Sequence, residues 1–370
     1  IDLGLDRITR LLAALDAPQT TFRHVFHVAG TNGKGSVCAM TTAMLIGLGL
    51  GPVGTFTSPH LVAPHDAVLV DGRPCDVGTY RTCASQAAAA ADRQQLRPTS
   101  FELSCATMLL VFRAAGVQYA VVEVGLGGRR DATNIFPPHV PRTCLVTAIG
   151  LDHTEFLGTT SAAIAREKGG ILSPGCAVVV AQQPHDDVDA VLRAVAAETG
   201  ARLLPRRRVV ASPANGADAD VQGGESDRNP HAAREPDEAR AMGDAQRVVA
   251  ATAIAALLPT LPAAPPVAPR AAVRWALRHV RWPGRLDTRW LRRHPVLFDA
   301  AHNPDAAAVL AAYVAQSLRP THPRLCWVLA FTAGKNVASM LAPWIHPGDA
   351  VVLTRFDAPE GMPWIRAADP

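Results

Sequence analysis

The stretch HVAGTNGKGSVCAM, residues 27–40, constrains the fold more than any other part of the chain. A short apolar run ends at Gly30, a turn with Gly33 and Gly35 follows, and a helix-compatible apolar segment begins directly after that turn. In a strand, glycine-rich turn and helix of this order, backbone N–H groups and the helix N-terminus converge on one point, where they bind anions. The sequence therefore predicts a phosphate-binding loop at the end of a strand.

Lysine is rare in this chain, so its positions are informative. Of the 36 lysine and arginine residues only three are lysine (Lys34, Lys168 and Lys335), and the other 33 are arginine. A lysine ammonium is a compact point charge that reaches phosphate between glycines, whereas the arginine fork is bulkier. We expect Lys34 to contact outer phosphates and Ser36 to cap the helix or touch a metal ion. The alternative is a glycine-rich turn without a ligand, and GTNGKGS departs from GxxxxGK[ST] by one extra glycine.

Charge and cysteine content exclude several classes of protein. A net charge of +4 over 370 residues is too small to indicate a nucleic-acid or membrane surface. The seven cysteines are odd in number and none has CxxC spacing, which argues against a disulfide framework and favours a reducing compartment. No apolar run reaches the roughly 18 residues of a membrane span. We expect a cytoplasmic protein, with a mitochondrial one as the alternative, that binds neither nucleic acid nor membrane.

Short apolar runs alternate with longer, helix-like segments along the chain. The runs expected to be buried strands are 25–29, 119–124, 143–149, 177–181, 296–298, 325–330 and 350–353. The expected helices are 37–48, 104–115, 161–171, 187–199 and 306–317. This alternation predicts an α/β protein whose parallel sheets carry helices on both faces.

Breaks in composition indicate two domains. Residues 211–240 hold almost no large apolar side chains, so we expect them to be disordered. A proline-rich connector occupies 259–269, and WPGR at 282–285 is a further break. We place the boundary at WPGR because the helix-like run 270–280 can still pack on the first domain. The expected domains are 1–282 and 283–370.

Polar side chains follow two more of the predicted strands. Glu123 closes the run YAVVE ahead of three glycines, and His153 follows TCLVTAIGLD. Each alone is ambiguous, since such a Glu is often an ion-pair member and a single His is often structural. The carboxyl ends of strands in an open parallel sheet form one crevice, however, and a buried carboxylate needs a cationic partner. Together the two residues indicate a metal ion or cation near the phosphate loop.

Seven motifs occur together in an order typical of one family. They are AGTNGKGS (29–36), FTSPHL (56–61), VEVGLGGRRDATN (122–134), GLDHTEFLG (150–158), REKGGI (166–171), WPGRLD (282–287) and FDAAHNPDAA (298–307). With them the chain resembles the folate-type Mur ligases, which include dihydrofolate synthases and folylpolyglutamate synthases. The resemblance runs from Leu3 to the C-terminus except for about 205–245. It implies an N-terminal P-loop ATPase domain with a parallel sheet, a smaller C-terminal Rossmann-like α/β domain, and an active site between them.

The resemblance also implies roles for individual residues. The residues that match the family's ATP site are Asn32, Gly33, Lys34, Gly35 and Ser36, with Arg285 and Asp299 from the C-terminal domain. Those that match its magnesium ligands are Ser58 and Glu123 for one ion and His153 for a second. The pterin pocket corresponds to Phe101, Glu102, Asp131 and Asn134. His302, which begins the HNP turn, is expected to face the reaction centre and joins Lys34 and Lys168 as a catalytic candidate.

The two remaining lysines have competing interpretations. Lys168 resembles the family's lysine that carbon dioxide converts to a carbamate. An ammonium repels magnesium, whereas a carbamate is a carboxylate analogue that supports it, and arginine cannot undergo this chemistry. The alternative is an ion pair with Glu167 or another acid, which arginine would form equally well. Lys335, in FTAGKN, either contacts an incoming amino acid or caps a turn.

The resemblance implies an ATP-dependent amide ligase. In this reaction a carboxylate attacks the γ-phosphate of ATP, and an amine then displaces phosphate from the acyl phosphate. The two ends of the chain are similar to monofunctional fungal dihydrofolate synthases, which implies 7,8-dihydropteroate, L-glutamate and ATP as substrates and a monomeric enzyme. The alternatives are a folylpolyglutamate synthase or bifunctional enzyme, and an inactive nucleotide-binding homologue.

Three departures from the family pattern bear on these expectations. Arg130 replaces the usual Leu before Asp131, which changes the packing expected of the pocket. Val249 stands where an ATP-contacting Asn is expected, which motivates the inactive alternative. The chain after WPGR is short for the family's second domain, so we expect that domain to be incomplete.

Overall fold

The computed structural model describes residues 3–205, 252–253, 256–257, 260, 267, 269–335, 337–358 and 365–369. Segment 211–240, which we expect to be disordered, lies outside the described residues, and so do Val249 and most of the proline-rich connector. In the described part of the chain, no helix combines the length and the apolar character needed to cross a membrane.

Eight strands form one sheet in the first domain. In spatial order they are β4 (Arg73–Pro74), β3 (Val68–Val70), β2 (Val53–Phe56), β5 (Tyr119–Glu123), β1 (His24–Ala29), β6 (Arg142–Val146), β7 (Ala177–Val180) and β8 (Arg202–Leu203). The six strands from β2 to β8 in this order are parallel, as the alternating pattern predicts. β3 and β4 are antiparallel, so the sheet departs from the expected parallel arrangement at this edge alone among the described strands.

A two-residue turn explains the antiparallel edge. Asp71 and Gly72 connect β3 to β4 and have φ angles of 48° and 75°. Two successive positive φ angles define the tight hairpin turn that Asp-Gly favours. The strands are too short for their apolar pattern to be recognised, but the dipeptide itself predicts the reversal.

Helices cover both faces of the sheet. The helices of the first domain are α1 (Asp6–Ala13), α2 (Lys34–Gly47), α3 (Val77–Arg93), α4 (Ser100–Ala114), α5 (Thr154–Leu157), α6 (Ser161–Lys168), α7 (Asp186–Thr199) and α8 (Pro269–His279). Successive strand residues point to opposite faces, so Val121 packs in the core with α2 and Val122 in the core with α1, α3 and α4. α6 and α7 enclose a third core against β6 and β7.

The start of α4 illustrates how a cap sets a helix boundary. The Thr99 hydroxyl accepts from the Glu102 N–H at 3.2 Å, and the Glu102 carboxylate accepts from the Thr99 N–H at 2.7 Å. This reciprocal pair is a capping box, which satisfies amide groups that a helix start leaves unpaired. The helix therefore begins at Ser100, whereas apolar periodicity alone places its start at Ser104.

The cores divide near WPGR. Ala276 of α8 is fully buried in the same core as Val37 and Met44 of α2. The next core of the chain begins with Leu286 and gathers around Leu310. The two cores thus lie on either side of WPGR, and the boundary at 282/283 stays a prediction.

The second domain contains two separate strand pairs. β9 (Asp287–Leu291) and β10 (His294–Phe298) are antiparallel, and β11 (Cys326–Leu329) and β12 (Ala350–Leu353) are parallel. α9 (Pro304–Tyr313) and α10 (Val337–Leu341) complete it. The expected strands exist, but the expectation that they are buried is wrong for β10, in which no residue is buried, and for β12, whose four residues are all exposed. In a two-stranded sheet each strand lies at an edge, so little of it is enclosed.

Candidate active site

Three carboxyl ends of strands lie side by side at the centre of the first sheet. β5, β1 and β6 are neighbours in that order. The phosphate loop, which we define as residues 30–36, follows β1, whereas Glu123 ends β5 and the loop 147–153 follows β6. The structure thus brings the glycine-rich turn, the strand-end carboxylate and the GLDH motif to one crevice, where ligands of open parallel sheets bind.

The phosphate loop is fixed to the loop that follows β6. The N–H groups of Thr31 and Asn32 donate to the Ala148 carbonyl at 2.9 and 3.2 Å. Gly30 has a φ of 148°, and a Cβ added there would lie 1.8 Å from the Thr147 hydroxyl oxygen. Only glycine fits this close approach. Gly33, with a φ of 84°, directly precedes α2 and completes the turn that aims the helix N-terminus into the crevice.

Lys34 and Glu123 face each other in the crevice. The Lys34 Nζ lies 3.9 Å from Glu123 Oε1 and donates to the Thr31 carbonyl at 3.2 Å. Glu123 Oε2 accepts from the Ser58 N–H at 3.2 Å. Burial raises the pKa of Glu123, while the charge of Lys34 opposes that rise. A buried carboxylate in this position attracts a cation, because Lys34, the one cation within 4 Å of it among the described residues, can turn towards phosphate.

Lys168 is buried next to the phosphate loop. Its Nζ donates to the Gly30 carbonyl at 2.9 Å. Burial, followed by repulsion from Lys34, lowers the pKa of Lys168 to about 7. Glu167 lies instead within 3.9 Å of Arg129 and 3.7 Å of Arg130, so the ion pair proposed as the alternative for Lys168 does not involve Glu167. The same contact gives Arg130, which departs from the family pattern, a carboxylate partner.

The residues of the crevice fit a magnesium ion that binds together with a nucleotide. Ser58 and Glu123 offer the hard oxygen donors that magnesium prefers. His153 lies near the lysines of the crevice. Its pKa is lowered first by burial and then by the positive charges of Lys168 and other cations. Within the described residues no group of three or more His, Cys, Asp or Glu side chains could hold a metal by itself. Magnesium characteristically takes its remaining ligands from water and substrate phosphates, so a small protein donor set is suitable.

The second domain contacts the phosphate loop through Asn303. Its side-chain amide donates to Asn32 Oδ1 at 3.0 Å, and the Asn32 side-chain amide (Nδ2) donates back to Asn303 Oδ1 at 3.3 Å. Asn303 Oδ1 also accepts from the Ala306 N–H at 2.9 Å and so caps α9. One amide therefore both starts a helix and joins the domains.

Asp152 is a second point of contact between the domains. Its carboxylate lies 3.7 Å from Lys335 Nζ and 3.8 Å from His302 Nε2, and it accepts from the Asn303 side chain at 3.4 Å. Lys335 thus pairs with an acid across the crevice, a contact that neither interpretation of its sequence includes, and its role stays a prediction. The His302 Nδ1 lies 2.9 Å from the Ala300 carbonyl oxygen, and the expectation that this residue faces the reaction centre stays a prediction.

WPGR lies against the phosphate loop from the other side. A Cβ added at Gly35 would lie 3.1 Å from the Trp282 indole nitrogen, so the indole packs directly on the loop. Asp299 accepts from the Leu286 N–H at 2.9 Å and thereby connects the turn to the segment that leads into α9. Arg285 is exposed, and its charge opposes the burial that raises the pKa of Glu123. Arg285 and Asp299 therefore both belong to the segment that borders the phosphate loop, and their role in ATP binding stays a prediction.

The residues expected to form a pterin pocket lie around the loop 125–134. The Phe101 ring lies on Gly125, where a Cβ would be 2.4 Å from its Cζ. Asp131 is buried, and its Oδ2 accepts from the Leu126 N–H at 2.8 Å. The Asn134 side chain donates to the Gly170 carbonyl at 3.1 Å, so it holds the loop rather than facing outward. An aromatic ring and a carboxylate thus flank one short piece of backbone.

Glu102 divides its two oxygens between different environments. Oε2 accepts from the Thr99 N–H in the helix cap and from Arg7 Nε at 3.1 Å. Oε1 is buried and has no hydrogen-bond partner among the described residues. Only this second oxygen is available to a ligand.

Comparison with known proteins shows the family. Residues 28–204 match the Mur ligase middle domain, and residues 285–370 match the C-terminal domain of dihydrofolate synthetase. The chain is 36% identical over 378 residues to the dihydrofolate synthetase of Saccharomyces cerevisiae, with 100% of this chain and 85% of that protein covered. This chain is a folate-type Mur ligase.

Solved structures of Mur ligases have the same fold. Escherichia coli FolC in complex with ADP, without folate substrate, is 30% identical and superimposes with a TM-score of 0.78 over 100% of this chain and 82% of that one. A bifunctional folylpolyglutamate synthase/dihydrofolate synthase with Mn, AMPPNP and L-glutamate bound is also 30% identical, with a TM-score of 0.76 and the same coverage of 100% and 82%. The expected Mur ligase fold with a smaller C-terminal domain is confirmed.

Sequence reasoning overlooked two residues of this Mur ligase site. Asp152 directly precedes His153 in GLDH, and Asn303 follows His302 in HNP. An Asn before Pro at the start of an apolar, helix-like run is typical of a helix cap, so the role of Asn303 in α9 is readable. The contacts that Asp152 and Asn303 make between the domains cannot be read from the sequence, because no local pattern encodes them.

Proposed function

We propose that this folate-type Mur ligase is a dihydrofolate synthase, which joins L-glutamate to 7,8-dihydropteroate while ATP is converted to ADP and phosphate. The observation that carries this proposal is the convergence of Lys34, Glu123 and Lys168 in a crevice that the second domain borders. The full-length similarity to a fungal dihydrofolate synthetase supports the choice of acceptor. The structures solved with ADP, AMPPNP, Mn and L-glutamate support ATP, a divalent metal and glutamate.

The first step must bring two anions together. The acceptor's carboxylate oxygen attacks the γ-phosphorus of ATP, the bond to ADP breaks, and an acyl phosphate forms. Lys34 and the N–H groups of the phosphate loop stabilise the charge on the transferring phosphoryl group, and they are preorganised by the contacts with Ala148. A magnesium ion, held by Ser58 and Glu123, would neutralise charge on the phosphate oxygens.

The second step forms the amide. The neutral amine of glutamate attacks the acyl carbon, phosphate leaves, and the nitrogen loses a proton. No protein nucleophile is required, and burial raises the pKa of Cys38, the cysteine within α2 next to the loop, which keeps it an inert thiol. What the protein supplies is orientation, since positioning of two bound reactants accounts for much of such a rate enhancement.

We further infer a carbamate on Lys168 and a second magnesium ion that His153 helps to hold. Carbon dioxide reacts with a neutral amine, and a pKa of about 7 keeps much of Lys168 neutral near physiological pH. The product carries a negative charge in place of a positive one, which suits a site already bordered by Lys34.

Carbamate formation should depend on pH. With a pKa of about 7, roughly nine tenths of Lys168 is neutral at pH 8 and roughly one tenth at pH 6, so carbamate should be abundant at the higher pH and scarce at the lower. Carbon-13 NMR in labelled bicarbonate measures this, and a chain with three lysines gives few competing resonances. Lys168→Arg is the control and should lack the resonance. A wild-type spectrum without it at pH 8 would contradict the carbamate.

The acceptor can be identified by product formation. With ATP, magnesium and glutamate, we expect release of ADP with 7,8-dihydropteroate and at least tenfold less with dihydrofolate or tetrahydrofolate, measured by coupled ADP assay and mass spectrometry of the product. Equal rates would indicate the bifunctional alternative. ADP release without glutamate is the background control. Absence of ADP release with every acceptor would favour the inactive homologue that Val249 suggests.

We also infer a monomer in a reducing compartment, either the cytoplasm or the mitochondrion. All seven cysteines are free, and six of them are buried. Such thiols need no oxidising environment. Sedimentation velocity of the purified protein tests the monomer.

A further inference from the structure

A line of buried polar groups connects β1 to the loop 125–134. His27 lies on β1 and its side chain is completely buried. Its Nε2 lies 2.9 Å from the Thr133 hydroxyl oxygen. That hydroxyl in turn donates to Asp131 Oδ1, which also accepts from the Thr133 N–H at 3.0 Å. Nothing in the reaction described above uses His27.

The protons in this line can be assigned. Burial raises the pKa of Asp131, but the two donors from Thr133 and the one from Leu126 oppose that rise and favour the ionised carboxylate. The Thr133 hydroxyl has a single proton, which it donates to Asp131. Its oxygen must therefore accept the hydrogen bond from His27, so the His27 Nε2 carries the hydrogen. His27 Nδ1 is then a bare nitrogen, and it is buried with no hydrogen-bond partner among the described residues. Burial, followed by the charge of Arg142, holds the pKa of His27 well below its usual value, so the ring is neutral.

We propose that His27 is a positioning residue for the acceptor site, because it orients the Asp131 carboxylate through the Thr133 hydroxyl. The Asp131 carboxylate accepts a hydrogen bond from the Leu126 N–H, and the Phe101 ring packs on the neighbouring Gly125. Rotation of the carboxylate would release this backbone and move it relative to the ring. The proposal rests on the function proposed above, in which Phe101 and Asp131 belong to the pterin site.

The chain provides a control pair of the same residue types on the same strand, β1. His24 also lies on β1, and its Nε2 lies 2.9 Å from the Thr143 hydroxyl oxygen on β6. This pair resembles His27–Thr133 in residue type and distance, but in the described contacts it leads to no carboxylate. A change at Thr143 therefore reports the cost of losing a buried His–Thr contact alone.

Three variants test the proposal: Thr133→Val, Thr133→Ser and Thr143→Val. Valine matches the shape of threonine but cannot transmit the hydrogen bond, so Thr133→Val should raise the KM for dihydropteroate about tenfold or more. The KM values for ATP and glutamate should change less than about twofold. Thr133→Ser retains the hydroxyl and should restore the KM for dihydropteroate, and Thr143→Val should leave it unchanged. Thermal unfolding verifies that each variant is folded.

Nitrogen-15 NMR of the histidines supplies a second readout. Wild type and Thr133→Ser should show His27 with hydrogen on Nε2, and Thr133→Val should shift its resonances while those of His24 stay in place. The proposal is overturned if Thr133→Val and Thr143→Val raise the KM for dihydropteroate equally, or if the KM for ATP rises by the same factor. Wild type that ligates no acceptor would refute the proposed function instead. In that case the tautomer of His27 tests the positioning proposal separately. Hydrogen on Nδ1 would refute the line of hydrogen bonds from His27 through Thr133 to Asp131, and hydrogen on Nε2 would support it.

Discussion

Replacement of Lys168 by arginine is expected to reduce turnover by on the order of a hundredfold or more while the protein stays folded. The site is buried and borders Lys34, so it suits a group that can lose its positive charge. Arginine remains charged at any accessible pH and cannot form a carbamate. A permanent cation beside the phosphate loop would also repel magnesium.

The measurement is steady-state ADP release at saturating substrates, with circular dichroism and thermal unfolding as tests of the fold. Lys335→Arg is the matched control, because Lys335 is one third exposed (33%) and its ion pair with Asp152 tolerates an arginine. We expect that variant to keep most of its activity. Full activity of Lys168→Arg would dismiss the carbamate.

Lys34→Ala should have an effect of similar size, with turnover lowered on the order of a hundredfold, or about 3 kcal/mol of barrier. It removes the only lysine within the loop, and with it a preorganised charge aimed at the transferring phosphoryl group. Glu123 would lose its close cation at 3.9 Å, so metal affinity and turnover should change together.

Lys34→Arg separates charge from shape. The slot is bounded by Gly33 and by Gly35, on which Trp282 packs, so the wider arginine fork should restore only a minor part of the rate. Calorimetric titration with ADP and magnesium measures whether nucleotide binding falls with turnover. Wild-type turnover in Lys34→Ala would show that this loop does not take part in phosphoryl transfer.

The central crevice could be predicted from the sequence because its determinants are local. Gly30 and Glu123 each end an apolar run, Lys34 lies in the turn that follows Gly30, and in a parallel sheet such strand ends meet at one edge. The helix-cap role of Asn303 is equally local. Its contact with Asn32 joins residues 271 positions apart, and that of Asp152 joins residues 151 apart, so neither follows from spacing.

Glu102 shows why assignment of a role is harder than recognition of a motif. Its place in TSFE matches a pterin pocket, but the same four residues form a capping box, which satisfies one of its oxygens locally. The other oxygen lies buried without a described partner. The sequence identifies Glu102 as a candidate, but only the three-dimensional packing shows which of its two oxygens lacks a protein partner. Similarly, the Asp71–Gly72 hairpin is readable, whereas the exposure of β12 depends on which elements cover it.

The hydrogen bonds and ion pairs described between the domains join hydrophilic side chains, and this has a consequence for motion. Asn303, Asp152 and Lys335 meet their partners through groups that water can solvate equally well once they part. Separation would leave α9 with its own cap, since the Ala306 N–H stays on Asn303. If the two domains move apart, water can replace the protein partners of these polar groups. Opening at the described contacts therefore costs little free energy, and a product could reach solvent while each domain stays folded.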